Sequence, residues 1–374
     1  MILALIAFFI ILGIVVFIHE FGHFIVAKKL GVRVEEFGIG YPPAIWKKKK
    51  GETVYSINII PLGGFTKLYG EEGVKDSESK DPRSFSFQSP SKRALIVLGG
   101  VIMNFLLAVV IFYFLLGFNG FQFKTQLIFD YKFPFGNQEN YPPFSLITDI
   151  AESSPAEKSG LEPGDMIVKG NGEDLANSFQ LVGFIDKNKG KEVILTIKKN
   201  QSNQTETVKI IPRTDPPEGE GALGIGLASN IAEVKYDNFL EKISSGFLHS
   251  FNFMHYSFVG LNYFIKTSLV EKNIEPLASS VGGPVAIFAL TKETIKAGIE
   301  QFALLIAVIS LAIATFNILP IPVLDGGRLL FLFIESLRGK PINAKLEKKI
   351  INISFLILIG ILILVTIKDV IQLF

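Results

Sequence analysis

The chain has 374 residues, 49% of them hydrophobic, with a formal net charge of +2 and no cysteine. A mean hydropathy of +0.41 is too apolar for an ordinary soluble protein and too polar for a wholly embedded one, so membrane segments plus one polar domain are expected. The missing cysteines exclude disulfides and thiolate metal sites and leave His and carboxylates as ligands. The near-neutral total says nothing about partners.

The opening run, Met1 to Ile18, has no basic n-region and no small-residue cleavage site. It reads as a retained spanning helix, not a signal peptide. The helix carries His19-Glu20-Phe21-Gly22-His23. Two imidazoles four residues apart share one helix face and can share a zinc ion. The glutamate beside them can act as general base on a metal-activated water, an arrangement known from metalloproteases. Ionisable groups at this depth point to function.

Four segments are long and apolar enough to span, about 2–26, 94–118, 301–319 and 350–367. Lys28, Lys29 and Lys47 to Lys50 follow the first, and Lys92 and Arg93 precede the second. Arg328, Arg338, Lys340, Lys345, Lys348 and Lys349 lie between the third and fourth. The positive-inside rule makes these stretches cytoplasmic and both termini external. His19 then lies about 26 Å down the first helix, near the cytoplasmic edge of the core.

Residues 51–69 read as a strand pair, Val54 to Ile60 and Phe65 to Tyr69, turned by Pro61-Leu62-Gly63-Gly64. The pair is either a small cytoplasmic hairpin or one that dips toward the active site and offers an edge strand to an extended substrate. Residues 70–91 read as a charged, Ser-rich loop, and residues 121–145 are aromatic and turn-rich without an assignable element. From about Phe144 to Arg213 the chain reads as a soluble domain. Its run from Ser154 to Ile167, SPAEKSGLEPGDMI, gives a short helix, a glycine turn and a strand entry, followed by the turn Asn171-Gly172, a helical stretch at 178–187 and a strand from Val193 to Lys198. This pattern resembles a PDZ domain, lying between spans two and three and therefore outside.

Residues 237–272 carry Phe247, Phe251, Phe258 and Ile265 roughly on one helical face. A fifth span here would put Asp325 on the opposite side from His19, so a helix lying on the outer membrane surface is expected. His249 and His255 lie on it, six residues apart. They do not share a face and read as interfacial packing.

Two histidines leave zinc short of a protein ligand. The candidate is Asp325, in Asn317-Ile318-Leu319-Pro320-Ile321-Pro322-Val323-Leu324-Asp325-Gly326-Gly327. The two prolines stop regular helix, and irregular backbone at membrane depth is tolerated where protein buries it or it lines a cavity. Gly326 and Gly327 allow close approach. Alone, the segment also reads as an ordinary helix end with a capping aspartate; the paired histidines favour the ligand.

HEFGH, YSINIIPLGGFTKLYGE, DPRSF with Asn104, the PDZ-like run, Gly282-Gly283-Pro284 and NILPIPVLDGG together cover nearly the whole length. The chain resembles the site-2 protease family of intramembrane zinc metalloproteases, and within it the bacterial regulator of sigma-E protease group. The resemblance implies an α-helical membrane protein with four transmembrane helices, a small membrane-associated β-hairpin and an inserted α+β PDZ domain. Its parts would be a protease half at 1–120, an extracytoplasmic PDZ domain at 144–213, an amphipathic surface helix at 237–272 and a second protease half at 280–374. It implies His19, His23 and Asp325 as zinc ligands, Glu20 as catalytic acid/base, and Asn317 as a substrate or oxyanion contact, with Gly63, Gly64 and Phe65 also touching substrate. The implied home is the bacterial inner membrane, with the active site near the cytoplasmic side. The implied partners are the lipid bilayer and membrane-spanning peptides or proteins, such as trimmed anti-sigma factors or remnant signal peptides, and not nucleic acid.

The chain departs from that family twice. It has room for one PDZ domain where the best-known relatives carry two, and Gly99-Gly100-Val101 stands where a Gly-Pro pair is expected before Asn104. Two rival functions are a catalytically idle PDZ scaffold and a transporter with a structural zinc. The complete set His19, Glu20, His23 and Asp325 argues against the first, and the lack of a visible internal repeat against the second.

Overall fold

A computed structural model describes residues 2–71, 81–129, 131–141, 145–175, 178–199, 204–217, 220–227 and 231–373. It forms two compact units, residues 1–118 with 243–374, and residues 119–242.

The first unit opens with α1 (Ile2–Lys29), whose last turn carries Lys28 and Lys29, cations that complement the helix dipole. It is followed by β1 (Val34–Lys50) and β2 (Thr53–Leu68), an antiparallel pair, and by α2 (Pro90–Phe118), which begins on a proline pre-set for a helix start. The strand pair expected at 54–60 and 65–69 does not form. Both stretches belong to β2, and their partner is β1, which begins at residue 34. Ile39 lies beside Ile57 on one side and Gly64 on the other, so one leg of β1 is wedged between the two legs of β2. The glycines at 63 and 64 therefore mark a bend within β2 rather than a hairpin turn. Buried polar side chains hold the bent sheet: Thr53 Oγ1 donates to Val34 O at 2.8 Å and Asn58 Nδ2 to Gly40 O at 3.0 Å. Of the loop expected at 70–91, residues 72–80 lie outside the described residues.

The second unit begins with β3 (Gln122–Gln126) and β4 (Asn137–Tyr141), in the stretch that sequence patterns leave unassigned. A six-stranded sheet follows, made of β5 (Ser145–Ile150), β6 (Met166–Gly170), β7 (Glu173–Asp174), β8 (Val193–Lys198), β9 (Thr205–Ile210) and β10 (Ile225–Leu227), with helices α3 (Pro155–Lys158) and α4 (Ser178–Lys187). Ile147, Ile167, Leu181 and Leu195 form its core. Ser154 caps α3 by accepting from the Glu157 amide at 3.1 Å. Phe144 lies outside the described residues, and β10 pairs with β5, so this sheet runs beyond residue 213. Last, β11 (Ile231–Lys235) returns between β3 and β4.

The first unit resumes within α5 (Phe239–Glu271), at Ile243, and continues with α6 (Glu275–Ser280), α7 (Pro284–Ala297), α8 (Ile299–Asn317), α9 (Asp325–Arg338) and α10 (Ala344–Leu373). Among the described residues four helices are long and apolar enough to cross a membrane, at 2–29, 90–118, 299–317 and 345–371. Ile11 and Val15 of α1 pack on Leu305 and Ile309 of α8. On α5, Gly246 lies against the Val109 carbonyl of α2, and the His249 ring meets those of Phe112 and Phe253. The end of α10 is tied down by Asp369, which accepts from the Gly283 amide at 2.8 Å and the Ala286 amide at 3.1 Å at the start of α7.

Candidate metal centre

The helical spacing of His19 and His23 turns both Nε2 atoms to one point, 3.2 Å apart. Asp325, in the first turn of α9, brings Oδ2 to 3.1 Å from His19 Nε2 and 3.5 Å from His23 Nε2. Ligands about 2.0–2.1 Å from a tetrahedral metal stand about 3.3–3.4 Å apart, so this triangle has the edge lengths of one face of such a site. Asp325 Oδ2 is also buried without an aligned hydrogen bond among the described residues, as expected of a donor atom aimed at a shared centre. Burial opposes ionisation of Asp325, but the two imidazoles beside it outweigh burial and hold the carboxyl below the usual carboxylate range. The start of α9 adds the positive end of a helix dipole.

Backbone turns deliver these groups. After α8 the chain turns through Ile318 to Leu324, and α9 starts at Asp325. A Cβ on Gly326 would stand 2.1 Å from the Leu319 carbonyl oxygen, so only glycine lets the new helix lie against the turn. Across the site, a Cβ on Gly22 would stand 2.1 Å from Gly99 O, and one on Gly100 would stand 2.5 Å from His23 Nε2. Gly99 and Gly100, where a Gly-Pro pair is expected, are thus what lets α2 pass directly beneath the histidines.

The imidazoles are held from behind. His23 Nδ1 donates to the Ile96 carbonyl at 2.9 Å, which leaves Nε2 free to bind a metal. Asn104 is fully buried and faces His19 Nδ1 at 3.3 Å. Sequence reasoning noticed Asn104 only as part of a resemblance and Gly100 only as a departure from it, and missed Ile96. The run Gly99-Gly100 followed one turn later by Asn104 was the available signal, a small-residue helix face carrying one polar group.

Glu20 shares a cleft of about 670 Å³ with His19, His23, Gly64, Phe65 and Asp325. Thr66 of β2 donates to the Glu20 carbonyl at 3.0 Å, fixing this leg of the sheet on α1. Gly63 does not line the cleft but abuts Tyr41, which does. Asn317, the last residue of α8, points Nδ2 at His19 Nε2 across 3.4 Å. At the rim Arg328 pairs with Glu71, and Arg93 pairs with Glu335 to join α2 to α9. His249 and His255 are not in the cluster of His19, His23 and Asp325, which was the one such group found among the described residues.

A model of peptidase family M50 matches residues 7–361. The chain belongs to peptidase family M50. A Clostridium perfringens protein that carries the name of a zinc metalloprotease is 34% identical over 370 residues, 99% of this chain and 98% of that one. Zinc metalloprotease RasP of Shouchella clausii is 26% identical over 447 residues, 99% of both chains. Among solved structures, the PDZ domain of an SdrC-like protein from Listeria monocytogenes matches 23% of this chain and 88% of its own, at 22% identity and a TM-score of 0.21. Family membership and four spanning helices together make this chain a multi-pass membrane metalloprotease.

Proposed function

We propose that the chain is a zinc-dependent intramembrane endopeptidase that cuts single-span membrane proteins or remnant signal peptides. The observation that carries this reading is the triangle of His19, His23 and Asp325 donor atoms, 3.1–3.5 Å on its edges, beside Glu20 in one cleft. His19, His23 and Asp325 would hold the metal. Bound zinc would supply Lewis acidity toward water and the scissile carbonyl. Glu20 takes the proton of the attacking water and returns it to the amide nitrogen that leaves. Asn317 donates toward the carbonyl oxygen as charge develops there. The Gly64–Leu68 leg, paired among the described residues with β1 on one side only, accepts the unwound substrate as an added strand, with Gly64 and Phe65 beneath it.

Residues 144–213, with their PDZ-like sequence, lie outside and filter substrates, so that bulky ectodomains wait for trimming; anti-sigma factors are the substrate class in view. The inner membrane of a bacterium is the proposed location, with the 237–272 helix at its outer surface and the cleft toward the cytoplasm. Purified chain in detergent should hold about one zinc per molecule and cut a single-span model peptide, and chelation should stop cleavage. Zinc-loaded, folded chain that cuts none of a panel of single-span peptides would favour the inactive-scaffold reading and refute this one.

A further inference from the structure

The cleft extends beyond the candidate ligands, and its far end is charged. Its lining runs without a break from Gly64 to Glu71, past the end of β2, and is faced there by Arg328 of α9. Arg328 follows Asp325 by three residues, about 4.5 Å further along the helix. Its guanidinium donates to the Glu71 carboxylate, so the pair bridges the two walls of the cleft. The turn that presents Glu71 is fixed: Gly70 has φ +70°, and a Cβ there would stand 1.9 Å from Ser84 Oγ. The partners are unequal, since the Glu71 side chain is 15% exposed and that of Arg328 46%. Arg328 can swing toward water, and Glu347 of α10 is near enough to attract it. Glu71 cannot be left behind alone, because a mostly buried carboxylate without a cation is costly. Glu35, also in the lining, pairs with Lys67 at 3.0 Å. Both belong to the β1/β2 sheet, so that pair spans nothing.

We propose that Glu71 is the seat for a lysine or arginine on the cytoplasmic flank of the substrate, and that Arg328 occupies this seat until substrate enters. The seat, which rests on the endopeptidase reading above, selects among single-span chains. Leu68 packs with Ala27 near the end of α1 and with Ile96 near the start of α2. The Glu71 end of the cleft therefore lies toward the helix ends that carry Lys28, Lys29, Lys92 and Arg93. The rule that makes such ends cytoplasmic also puts the Lys and Arg of a single-span substrate on that side. A strand laid along Gly64–Leu68 runs on into the Arg328–Glu71 bridge. To pass, it must displace Arg328, and only a chain that brings its own cation leaves Glu71 paired. Glu71 sits one turn of α9 and the length of an arginine side chain from the candidate ligands. At about 3.3 Å per residue, the substrate cation then belongs about three to five places from the cut. A basic flank exchanges one ion pair for another, whereas a neutral or acidic flank strands Glu71.

The test uses two single-span peptides that differ only in carrying Lys or Glu at those flanking positions. Cleavage by the full chain gives kcat and KM. Binding of labelled peptide to the zinc-loaded Glu20→Gln chain gives Kd without any need for turnover. The Lys peptide should bind about fivefold tighter, the worth of an ion pair near a surface. The preference should appear in KM more than in kcat, and high salt should shrink it. Glu71→Gln should abolish the preference. Arg328→Gln should tighten the Lys peptide, because the resident cation is gone. The two substitutions thus act in opposite directions on one peptide, whereas a bridge that merely braces the fold would suffer alike from both. Glu35→Gln should leave the preference intact. Equal Kd for the two peptides, or weaker Lys-peptide binding in both the Glu71 and Arg328 variants, would overturn the seat. Loss of the preference in Glu35→Gln as well would make it a general field of the cleft and overturn it too. Charge-selective binding without cleavage of either peptide would sink the endopeptidase reading and leave the seat standing; cleavage indifferent to charge would do the reverse.

Discussion

Asn104 on α2 and His19 on α1 meet side chain to side chain at 3.3 Å, Nδ2 to Nδ1, both buried. A histidine that gives Nε2 to a metal keeps its proton on Nδ1 and needs an acceptor there. Asn104 Oδ1 is buried without a hydrogen-bond partner among the described residues. Turning the amide pairs that oxygen with the Nδ1 proton, so the metal-ready form of His19 is also the one that satisfies Asn104. The main chain of Asn104 is fixed in turn by Ser310 Oγ, which donates to its carbonyl at 2.9 Å.

Asn104→Leu should therefore weaken zinc binding about 10–100-fold, the usual effect of removing a group that orients a ligand. Asn104→Asp, which keeps the acceptor, should restore most of it. Competition with a zinc chelator measures both. Equal affinity in the Leu variant and the unaltered chain would show that Asn104 only packs.

Gly100→Ala should cost zinc affinity as well, by another route. Its Cβ would stand 2.5 Å from His23 Nε2 and 2.7 Å from His19 Nε2, so either α2 or the imidazoles must move. Gly13→Ala on α1 is the control, since a Cβ there meets nothing within 4 Å. Zinc content after dialysis at limiting metal separates the two, and retention by the Gly100 variant would argue against the tight seat described above.

Glu20→Gln should keep zinc and abolish cleavage, because it removes the proton acceptor and leaves all three candidate ligands in place. Zinc content and peptide cleavage on the same preparation test it. Cleavage within tenfold of the unaltered chain would transfer the role of base to another group.

Legibility followed chemistry more than topology. His19, His23 and Asp325 stood out because few side chains bind zinc and ionisable groups are costly within apolar runs. The spans stood out through length alone. The 34–68 sheet did not, because Gly38, Gly40, Pro42, Pro43, Pro61 and Gly63 interrupt its alternation, and Lys47 to Lys50 read as topology signals while also forming a strand. Residues 121–145 were opaque for a different reason: β3 and β4 gain their partner only at β11, about ninety residues after β4. Gly100 and Asn104 act through contacts with α1: the small-residue face of α2 signals a close approach, but not that the imidazoles are what it approaches.

In the second unit, Asp165 is 1% exposed and its Oδ2 is 2.8 Å from Lys199 Nζ. The hydrogen bond to Asp165 raises the Lys199 ammonium above its ordinary value. A raised folded-state value means that this stabilisation is complete below the unfolded lysine value near 10.4 and is lost as pH climbs through the folded one. Lys199→Met removes the counter-ion but leaves Asp165 accepting from the Glu162 amide at 3.0 Å, so it should destabilise the unit by about 1.5–3 kcal/mol, the worth of a hydrogen bond to a charged group. Hydrogen exchange of β6 and β8 in the full chain reads the loss; unchanged protection would reduce the pair to a surface contact.

Gly64 tests how closely the substrate edge must lie against the base. A Cβ there would stand 3.0 Å from the Gly38 carbonyl oxygen and 3.3 Å from Glu20 Cγ. Alanine fits with a shift of a few tenths of an ångström, and valine does not. The displaced parts would be the β2 leg and the Glu20 side chain, since the atoms nearest an added Cβ belong to Gly38, Glu20 and Val16 and not to the three candidate ligands. Gly64→Ala should lower kcat modestly and Gly64→Val by about 100-fold, the loss typical of a 1 Å misplacement, with zinc content unchanged in both. Steady-state cleavage of a single-span peptide, with metal analysis of the same samples, gives the comparison. If Gly64→Val loses zinc in step with activity, the residue supports the metal site instead. If it cleaves normally, the β2 leg is not the surface on which the substrate is held.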